Sequence, residues 1–193
     1  MKRLLYSAVA LAAAGSSLQS CANKKPADNQ QVLPENAKAI VCYFSATGTT
    51  ERAAQRIAAL TGAATHQIAP AEPYSAADLD WRDSLSRCYV EMHNPQSRPA
   101  LKDSVTDMSE YSVVFIGYPN WWNTHPTIIN TFIESNNLQG KTIVPFMTSG
   151  GSTISNSEKE LRQAYPSLKF ADGLLMNDVS DEEIKSWIMS AGM

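Results

Sequence analysis

Apolar and polar residues alternate along the chain in blocks that predict strands and helices in turn. Short runs rich in β-branched and aromatic residues are typical of buried strands, and each is followed by a segment with apolar residues at helical spacing. The predicted strands are Ala39–Ser45, Thr65–Ala69, Val113–Tyr118, Thr142–Thr148 and Lys169–Met176. The predicted helices are Thr50–Leu60, Ala76–Met92, Pro126–Ser135, Ser155–Tyr165 and Asp181–Ser190.

This alternation predicts a doubly wound α/β fold, in which helices cover both faces of a parallel sheet. Two helix starts also carry capping signals. Ser155 and Glu158 have the spacing of a capping box, and Ser180 or Asp181 is expected to cap the last helix. Ligands of open α/β sheets bind beyond the carboxyl ends of the strands, so the loops that follow the strands are the places to look for a site.

The first 37 residues follow a different pattern. Lys2 and Arg3 precede an apolar run over residues 4–14, and small residues then lead to Cys21. A basic start, an apolar run too short to span a membrane as a mature helix, and a small-residue cleavage zone are typical of a signal peptide. We therefore predict a signal peptide over residues 1–20, a tether over residues 21–37 and a folded domain over residues 38–193.

The end of this signal resembles the bacterial lipobox, in which a cysteine becomes the lipidated first residue of the mature chain. The matching residues are Leu18-Gln19-Ser20-Cys21, although Gln19 is unusual at a position that tends to be small or β-branched. The resemblance implies a lipid on Cys21 that anchors the domain at the cell envelope, on the periplasmic side of the inner membrane or on the outer membrane. Secretion without a lipid is the alternative.

Composition fits one domain with a sizeable core. The chain has 193 residues, of which 44% are hydrophobic and 18% are charged. Its formal net charge is −3, and removal of the signal peptide takes Lys2 and Arg3 away and makes the balance more negative. This balance lacks the basic footprint of a nucleic-acid partner. Cys42 and Cys88 are predicted to be buried or inert thiols and not a redox pair.

The most distinctive motif is the turn Ser45-Ala46-Thr47-Gly48-Thr49-Thr50, between the first strand and the first helix. Free N–H groups at a helix start, together with hydroxyls, bind anions. A Walker loop is excluded because no Lys or Arg occurs from Ala46 to Glu51, and Cys42 lacks the arginine-closed loop of a cysteine phosphatase. The motif predicts a cradle for a phosphate monoester on a larger cofactor, with an ordinary capped turn as the alternative.

This hexad matches the FMN phosphate loop of the flavodoxin family, Ser/Thr-x-Thr-Gly-x-Thr, and residues 39–190 resemble flavodoxins as a whole. The resemblance implies FMN as the cofactor and a flavodoxin-like three-layer α/β/α sandwich, with a five-stranded parallel sheet of order 2-1-3-4-5. The chain departs from small flavodoxins in the long segment over residues 72–81. There, Tyr74 or Trp81 is expected either to cover the flavin or a substrate pocket, or to pack in the core.

Two further loops carry the chemistry that a flat ring needs. Aromatic side chains can stack on a planar tricyclic ring, amides can bind its heteroatoms, and paired glycines permit close approach of the backbone. Trp121 and Trp122 are adjacent and project differently, so we expect one to contact the ligand and the other to pack in the core. The loop after the third strand offers Pro119, Asn120, Trp121, Trp122 and Asn123, and the loop after the fourth offers Ser149, Gly150 and Gly151.

These features predict an FMN-binding oxidoreductase or electron-transfer protein of flavodoxin type at the cell envelope, with use of NAD(P)H left open. The loops around the predicted ring site contain no Asp or Glu, which argues against a strong one-electron reductant. No catalytic side chain and no metal are predicted, and His125 is interpreted as a surface or capping group. The alternative is a non-catalytic envelope lipoprotein that binds a different planar or phosphorylated ligand in the same pocket.

Overall fold

The computed structural model describes residues 32–103 and 107–191, and strands alternate with helices in it as predicted. Most ends lie within two residues of the predicted ones. The strands are β1 Ala39–Tyr43, β2 Ala64–Gln67, β3 Val113–Pro119, β4 Thr142–Thr148, β5 Lys169–Phe170 and β6 Leu174–Leu175. The helices are α1 Thr49–Thr61, α2 Arg87–Met92, α3 Ile128–Ser135, α4 Ser155–Ala164 and α5 Asp181–Ser190.

The strands form one parallel sheet of order β2-β1-β3-β4-β5, with β6 also paired to β4. This confirms the predicted flavodoxin-like topology. The register places Val41 beside Phe115, and Phe115 beside Val144. Strand order reverses between β1 and β3, so the loops that leave these two strands diverge at the carboxyl edge and leave room for a ligand.

Both faces of the sheet are buried, which explains the nearly continuous apolar runs of β1, β3 and β4. On one face, Val41 and Phe115 pack with side chains of α1 and α5, including Ile57 and Ile188. On the other face, strand residues such as Ile116 pack with side chains of α3 and α4. Cys42 and Cys88 are both buried, as predicted.

The helix predicted over residues 76–92 is wrong over most of its length, because only α2 forms at its end. Aspartate side chains bind nearby backbone N–H groups and stabilise short turns instead. Asp78 accepts from the N–H of Ser75 at 2.8 Å, Asp80 from Arg82 at 3.1 Å, and Asp83 from Leu85 at 2.9 Å. Such local bonds compete with helix formation.

The strand predicted over residues 169–176 is wrong as one continuous element, since it is interrupted between β5 and β6. The N–H of Ala171 donates to the carbonyl of Ile143 at 2.8 Å. In a continuous parallel ladder, the Ala171 carbonyl would next accept from residue 145, but Pro145 has no N–H. The guanidinium of Arg162 donates to that carbonyl instead, at 2.8 Å.

The capping signals have different outcomes. Ser180 and Glu183 form a capping box at the start of α5, as expected for that position. The capping box predicted from Ser155 is wrong, because α4 begins after Ile154 without a side-chain cap. Glu158 accepts from the N–H of Gly173 at 2.6 Å instead and so supports the interrupted strand.

The predicted tether ends earlier than residue 37. Val32 is buried against the face that α1 and α5 cover, and Leu33 and Ala37 are partly buried there. The predicted signal peptide, Cys21 and the rest of the tether lie outside the described residues. Among the helices that the structure describes, none has the length and apolar character needed to cross a bilayer.

Candidate functional site

The loops that follow β1, β3 and β4 lie side by side at the carboxyl edge of the sheet. The hydroxyls of Thr50 and Thr148 are hydrogen-bonded at 2.8 Å, which joins the first loop to the end of β4. The N–H of Asn120 donates to the carbonyl of Thr148 at 2.7 Å, and this bond joins the second loop to the third. The ring centroids of Phe44 and Trp121 lie 5.5 Å apart. The fold therefore brings the three predicted loops together.

The first loop has the geometry of an anion cradle. Gly48 adopts a φ of +83°, a left-handed conformation that favours glycine, and α1 starts at the next residue. The first N–H groups of this helix point out of its N-terminus. Thr47 and Thr49 are exposed, whereas Ser45 has a buried Oγ without a hydrogen-bond partner. A buried hydroxyl in need of a partner fits a bound phosphate, because an unpaired buried polar group is costly.

A positive charge also reaches this loop. Nη2 of Arg52 donates to Oγ1 of Thr49 at 3.3 Å, and Nη1 lies 3.6 Å from the position that a Cβ would occupy at Gly48. Arg52 was not among the predicted site residues, because it lies one position beyond the stretch from Ala46 to Glu51. The spacing from Gly48 to Arg52 is one helical turn, and that spacing was the available signal.

Pro119 is the last residue of β3, and the loop after it begins with Asn120 and then turns sharply. Two backbone hydrogen bonds of 3.0 Å join Trp121 and Thr124, and the two residues between them have φ values of +47° and +65°. Left-handed conformations at both central positions define a type I′ turn. These central residues are Trp122 and Asn123, and Asn123 is exposed. The Oδ1 atom of Asn120 is buried and has no partner.

Trp121 and Trp122 have different environments, as expected for adjacent side chains that project in different directions. The Trp121 ring makes edge contacts with Phe44 and Tyr74, at centroid distances of 5.5 Å for both. Trp122 is 38% exposed and touches Tyr89 and His93 only through ring edges. Trp121 is thus partly buried and packs against the core, whereas Trp122 presents more of its aromatic surface to solvent.

We therefore expect different results from the two alanine variants. Trp121→Ala should lower the free energy of unfolding by about 2–3 kcal/mol, because a largely packed aromatic side chain is lost. Trp122→Ala should leave stability nearly unchanged and weaken FMN binding by roughly 3- to 10-fold, the effect of one aromatic contact. Chemical denaturation and fluorescence titration with FMN measure both quantities. The reverse assignment of the two effects would contradict this division.

The loop after β4 is held by the side chain of Asn177, which was not among the predicted site residues. The N–H of Ser149 donates to Oδ1 of Asn177 at 2.9 Å. Oγ of Ser149 in turn accepts from the N–H groups of Gly151 and Ser152, at 3.1 and 2.8 Å. A Cβ placed at Gly150 or Gly151 would meet no atom within 4 Å. The paired glycines therefore border open space at the predicted ring site.

The long segment after β2 packs beside the loop after β3. Tyr74 packs against both Phe44 and Trp121, with the Arg87 guanidinium 4.1 Å from its ring centroid. Its hydroxyl donates to Glu91, and burial raises the pKa of Tyr74 well above its usual value. Of the two roles left open for Tyr74, the structure therefore shows packing.

Trp81 instead lines a cavity of about 470 Å³ and is 61% exposed. The cavity lies between this segment and the loop after β3. Neither the hexad Ser45–Thr50 nor Ser149–Gly151 lines it. Its lining residues are Leu79, Trp81, Cys88, Asn120, Trp121 and Trp122.

The interpretation of His125 as a surface or capping group is wrong, because the side chain is buried. Its Nε2 is hydrogen-bonded to Oδ1 of Asn130 at 2.8 Å, so Nε2 carries the proton. Nδ1 lies 3.2 Å from Oγ of Ser157, which is 3.0 Å from the hydroxyl of Tyr118. Burial lowers the pKa of His125, and the neutral imidazole is the stable form in the fold.

Stability should therefore fall as the pH drops below about 6.5, the usual pKa of histidine in an unfolded chain. Below that pH the unfolded chain binds a proton at His125, whereas the folded protein does so only below its lower pKa. The loss between pH 7.5 and 5.5 is up to about 1.4 kcal/mol. Urea unfolding over this range should show a flatter pH profile for His125→Gln than for wild type. Burial also lowers the pKa of His66, but His66 is present in both proteins and contributes equally to the two pH profiles.

No group of three or more His, Cys, Asp or Glu side chains that would suit a metal ion occurs in residues 32–103 and 107–191. The polar groups of the three loops at the carboxyl edge are hydroxyls, amides and backbone N–H groups, and the Arg52 guanidinium reaches the first loop. This donor set suits an organic phosphate and a ring with heteroatoms.

Comparison with known proteins agrees with this geometry. The family model described as Flavodoxin matches residues 38–191. A proposed flavoprotein from Bacteroides eggerthii is 50% identical, with a TM-score of 0.80 over 82% of this chain and 99% of that one. A second, from Bacteroides uniformis, is 51% identical, with a TM-score of 0.76 over 80% and 99% of the two chains.

A flavoprotein from Lactobacillus acidophilus, solved in complex with FMN, shares the fold at 18% identity. Its TM-score is 0.62, over 78% of this chain and 98% of that one. No curated protein matches the chain.

Proposed function

Because this chain belongs to the flavodoxin family, we propose that it is an FMN-dependent oxidoreductase or electron-transfer protein. FMN supplies the redox chemistry when bound, and the chain orients it and tunes its electronics. The phosphate would lie in the hexad Ser45–Thr50, and Trp122 and Gly150–Gly151 would border the ring. The observation that carries the proposal is the buried, unpaired Oγ of Ser45 in a loop at a helix N-terminus, which the Arg52 side chain also reaches.

The charges near the ring site favour an oxidoreductase over a carrier of very low potential. Residues 119–125 and 148–153 include no Asp or Glu. A reduced, anionic flavin would meet no carboxylate from these two loops, so the loops do not penalise the reduced form by charge repulsion. This supports a flavin that is readily reduced by an external donor.

Purification and spectroscopy test the proposal. The protein should be yellow, or should turn yellow with a flavin absorption spectrum when it is incubated with FMN and desalted. An oxidoreductase should then oxidise NADH or NADPH in the presence of a quinone acceptor, whereas a carrier should accept electrons only from a reductase. A protein that stays colourless after incubation with FMN would refute the cofactor, and with it the function.

We also propose that a lipid on Cys21 holds this activity at the cell envelope. The support is the sequence before the folded domain, where Lys2 and Arg3, the apolar run over residues 4–14 and Leu18–Cys21 follow one another. Cys21→Ser should prevent lipid attachment and leave the protein unprocessed or soluble. Cell fractionation and metabolic labelling with a fatty acid measure this. Wild-type fractionation of the Cys21→Ser protein with membranes would contradict lipid anchoring.

A further inference from the structure

The end of the loop after β3 is fastened to α4 through Thr124. Its Oγ1 atom donates to the carboxylate of Glu160, a residue of α4. Its backbone exchanges two hydrogen bonds of 3.0 Å with Trp121, and these bonds close the tight turn. Thr124 therefore links α4 to the turn that presents Trp122.

His125 supports this link from the interior. Its Nδ1 atom lies 3.2 Å from Oγ1 of Thr124 and 3.2 Å from Oγ of Ser157, which belongs to α4. Its Nε2 atom is hydrogen-bonded to Asn130, a residue of α3. The imidazole therefore joins the turn to two helices. A hydroxyl can donate to Nδ1 only while that atom carries no proton, so the neutral ring is the form that fits this network.

The network also borders solvent space of its own. His125 lines a cavity of about 300 Å³ together with Thr124, Asn130 and Glu160. The cavity is separate from the ring site, since none of residues 119–123 and 149–151 lines it. Protons can therefore reach the network without passing through the ring site.

Charged and titratable groups from three sides act on His125. Burial is the main reason why the pKa of His125 is low, and Arg98, which pairs with Glu134 at 2.8 Å, adds to this shift. The Glu160 carboxylate acts in the opposite direction. Tyr118 of β3 faces the imidazole at a centroid distance of 5.9 Å and stays neutral, because burial raises the pKa of Tyr118.

A proton on Nδ1 would act against the link between the turn and α4. Nδ1 would become a donor with a positive charge, and Glu160 is the carboxylate that the network already contains. The imidazolium would then compete with the Thr124 hydroxyl for Glu160. A state that binds this proton more tightly therefore holds the turn less firmly, and such coupling is reciprocal.

We propose that His125 is a positioning residue for the flavin ring, whose neutral imidazole holds the turn that presents Trp122 and whose protonation releases it. This proposal rests on the proposed flavoprotein function. It concerns the affinity for the ring and not for the phosphate, because the network is remote in sequence from the hexad Ser45–Thr50 and makes no printed bond to it. FMN and riboflavin should therefore respond alike.

Fluorescence titrations with FMN and riboflavin at neutral pH test the positioning role. His125→Leu should weaken both flavins by about 3- to 10-fold, the effect expected of Trp122→Ala, because it acts through that contact. In the Trp122→Ala background, His125→Leu should lower affinity by less than about 2-fold. His125→Gln keeps a neutral donor and acceptor and should stay within about 3-fold of wild type. Additive losses, or a loss for FMN alone, would overturn the proposal.

Two further variants keep the test independent of folding, which urea unfolding reports. Thr124→Val removes the hydroxyl that contacts Nδ1 and Glu160, and it should weaken both flavins by about 2- to 5-fold even if His125→Leu fails to fold. His66→Gln is the matched control, since His66 is a partly buried histidine that stacks on Phe132 instead. Unchanged affinity in Thr124→Val, or an equal loss in His66→Gln, would contradict the role of the network.

A pH series separates positioning from packing. Between pH 7.5 and 5.5, wild type should lose about 2- to 5-fold more FMN affinity than His125→Gln. The FMN phosphate titrates near pH 6 in every sample, so its contribution divides out. His93→Gln should keep the wild-type profile, although the His93 ring lies 5.5 Å from that of Trp122. Identical profiles for wild type and His125→Gln, or a profile flattened by His93→Gln instead, would assign the pH dependence elsewhere and overturn the proposal.

Flavin absorbance in the same samples distinguishes the two proposals. Failure of wild type to load FMN would refute the proposed function, and this positioning role with it. A loaded protein whose ring affinity does not depend on His125 would refute the positioning role alone.

Discussion

We expect Ser45→Ala to weaken FMN binding by about 10- to 150-fold while leaving the unloaded protein at least as stable as wild type. A hydrogen bond from a hydroxyl to a charged phosphate contributes about 1.5–3 kcal/mol, which corresponds to that loss of affinity. The Oγ atom of Ser45 is buried without a partner, so its removal costs the unloaded protein nothing. Fluorescence titration with FMN and urea unfolding without FMN measure the two quantities.

Riboflavin is the control for this prediction, because it has the same ring and no phosphate. Its affinity should change little in Ser45→Ala. Thr50→Val should behave differently, since Oγ1 of Thr50 bonds Oγ1 of Thr148 in the interior, and its loss should lower stability by about 1–3 kcal/mol. Equal losses of FMN and riboflavin affinity in Ser45→Ala would place Ser45 outside the phosphate site.

Gly117→Ala should destabilise the protein by about 3 kcal/mol, which for a domain of this size lowers the melting temperature by roughly 6–12 °C. A Cβ at residue 117 would lie 2.0 Å from Cζ of Phe146, far inside van der Waals contact. Residue 117 is in the middle of the sheet, paired with both β1 and β4. The aromatic ring must therefore move within a packed core. Differential scanning calorimetry measures the shift.

A second substitution shows whether the ring causes the loss. Adding Phe146→Leu to Gly117→Ala should recover part of the lost stability, although Phe146→Leu alone is destabilising, because the smaller side chain makes room for the methyl group. Gly151→Ala is the matched control, since nothing lies within 4 Å of a Cβ there. Additive losses in the double variant would show that the Phe146 ring is not the obstacle.

Local patterns in the chain predicted the parts of the fold that short-range physics controls. β1, β3 and β4 are buried on both faces, so their β-branched and apolar runs are continuous and unmistakable. The Ser45–Thr50 turn is also local, because one glycine and the start of one helix define it. The helix predicted in the long segment after β2 does not form over most of its length. Aspartate side chains bind nearby backbone N–H groups there and stabilise turns in place of the helix.

Contacts between distant residues produced the other differences. Trp121 and Trp122 are neighbours in sequence, and only the positions of Phe44 and Tyr74 show which ring is packed. His125 has an ordinary helix-start sequence, yet Ser157, 32 residues away, lies against it in the interior. No local pattern encodes such pairs.

The sequence alone predicts the order of strands and helices and the chemistry of the phosphate loop, because both depend on residues within a few positions of one another. The tertiary structure decided where the fifth strand breaks, because Pro145 leaves a carbonyl that Arg162 binds from another element. It also decided that Asn177 holds the loop at Ser149. The cavity beside Trp81 also depends on the tertiary structure, because its walls come from two segments that meet only when the sheet has formed.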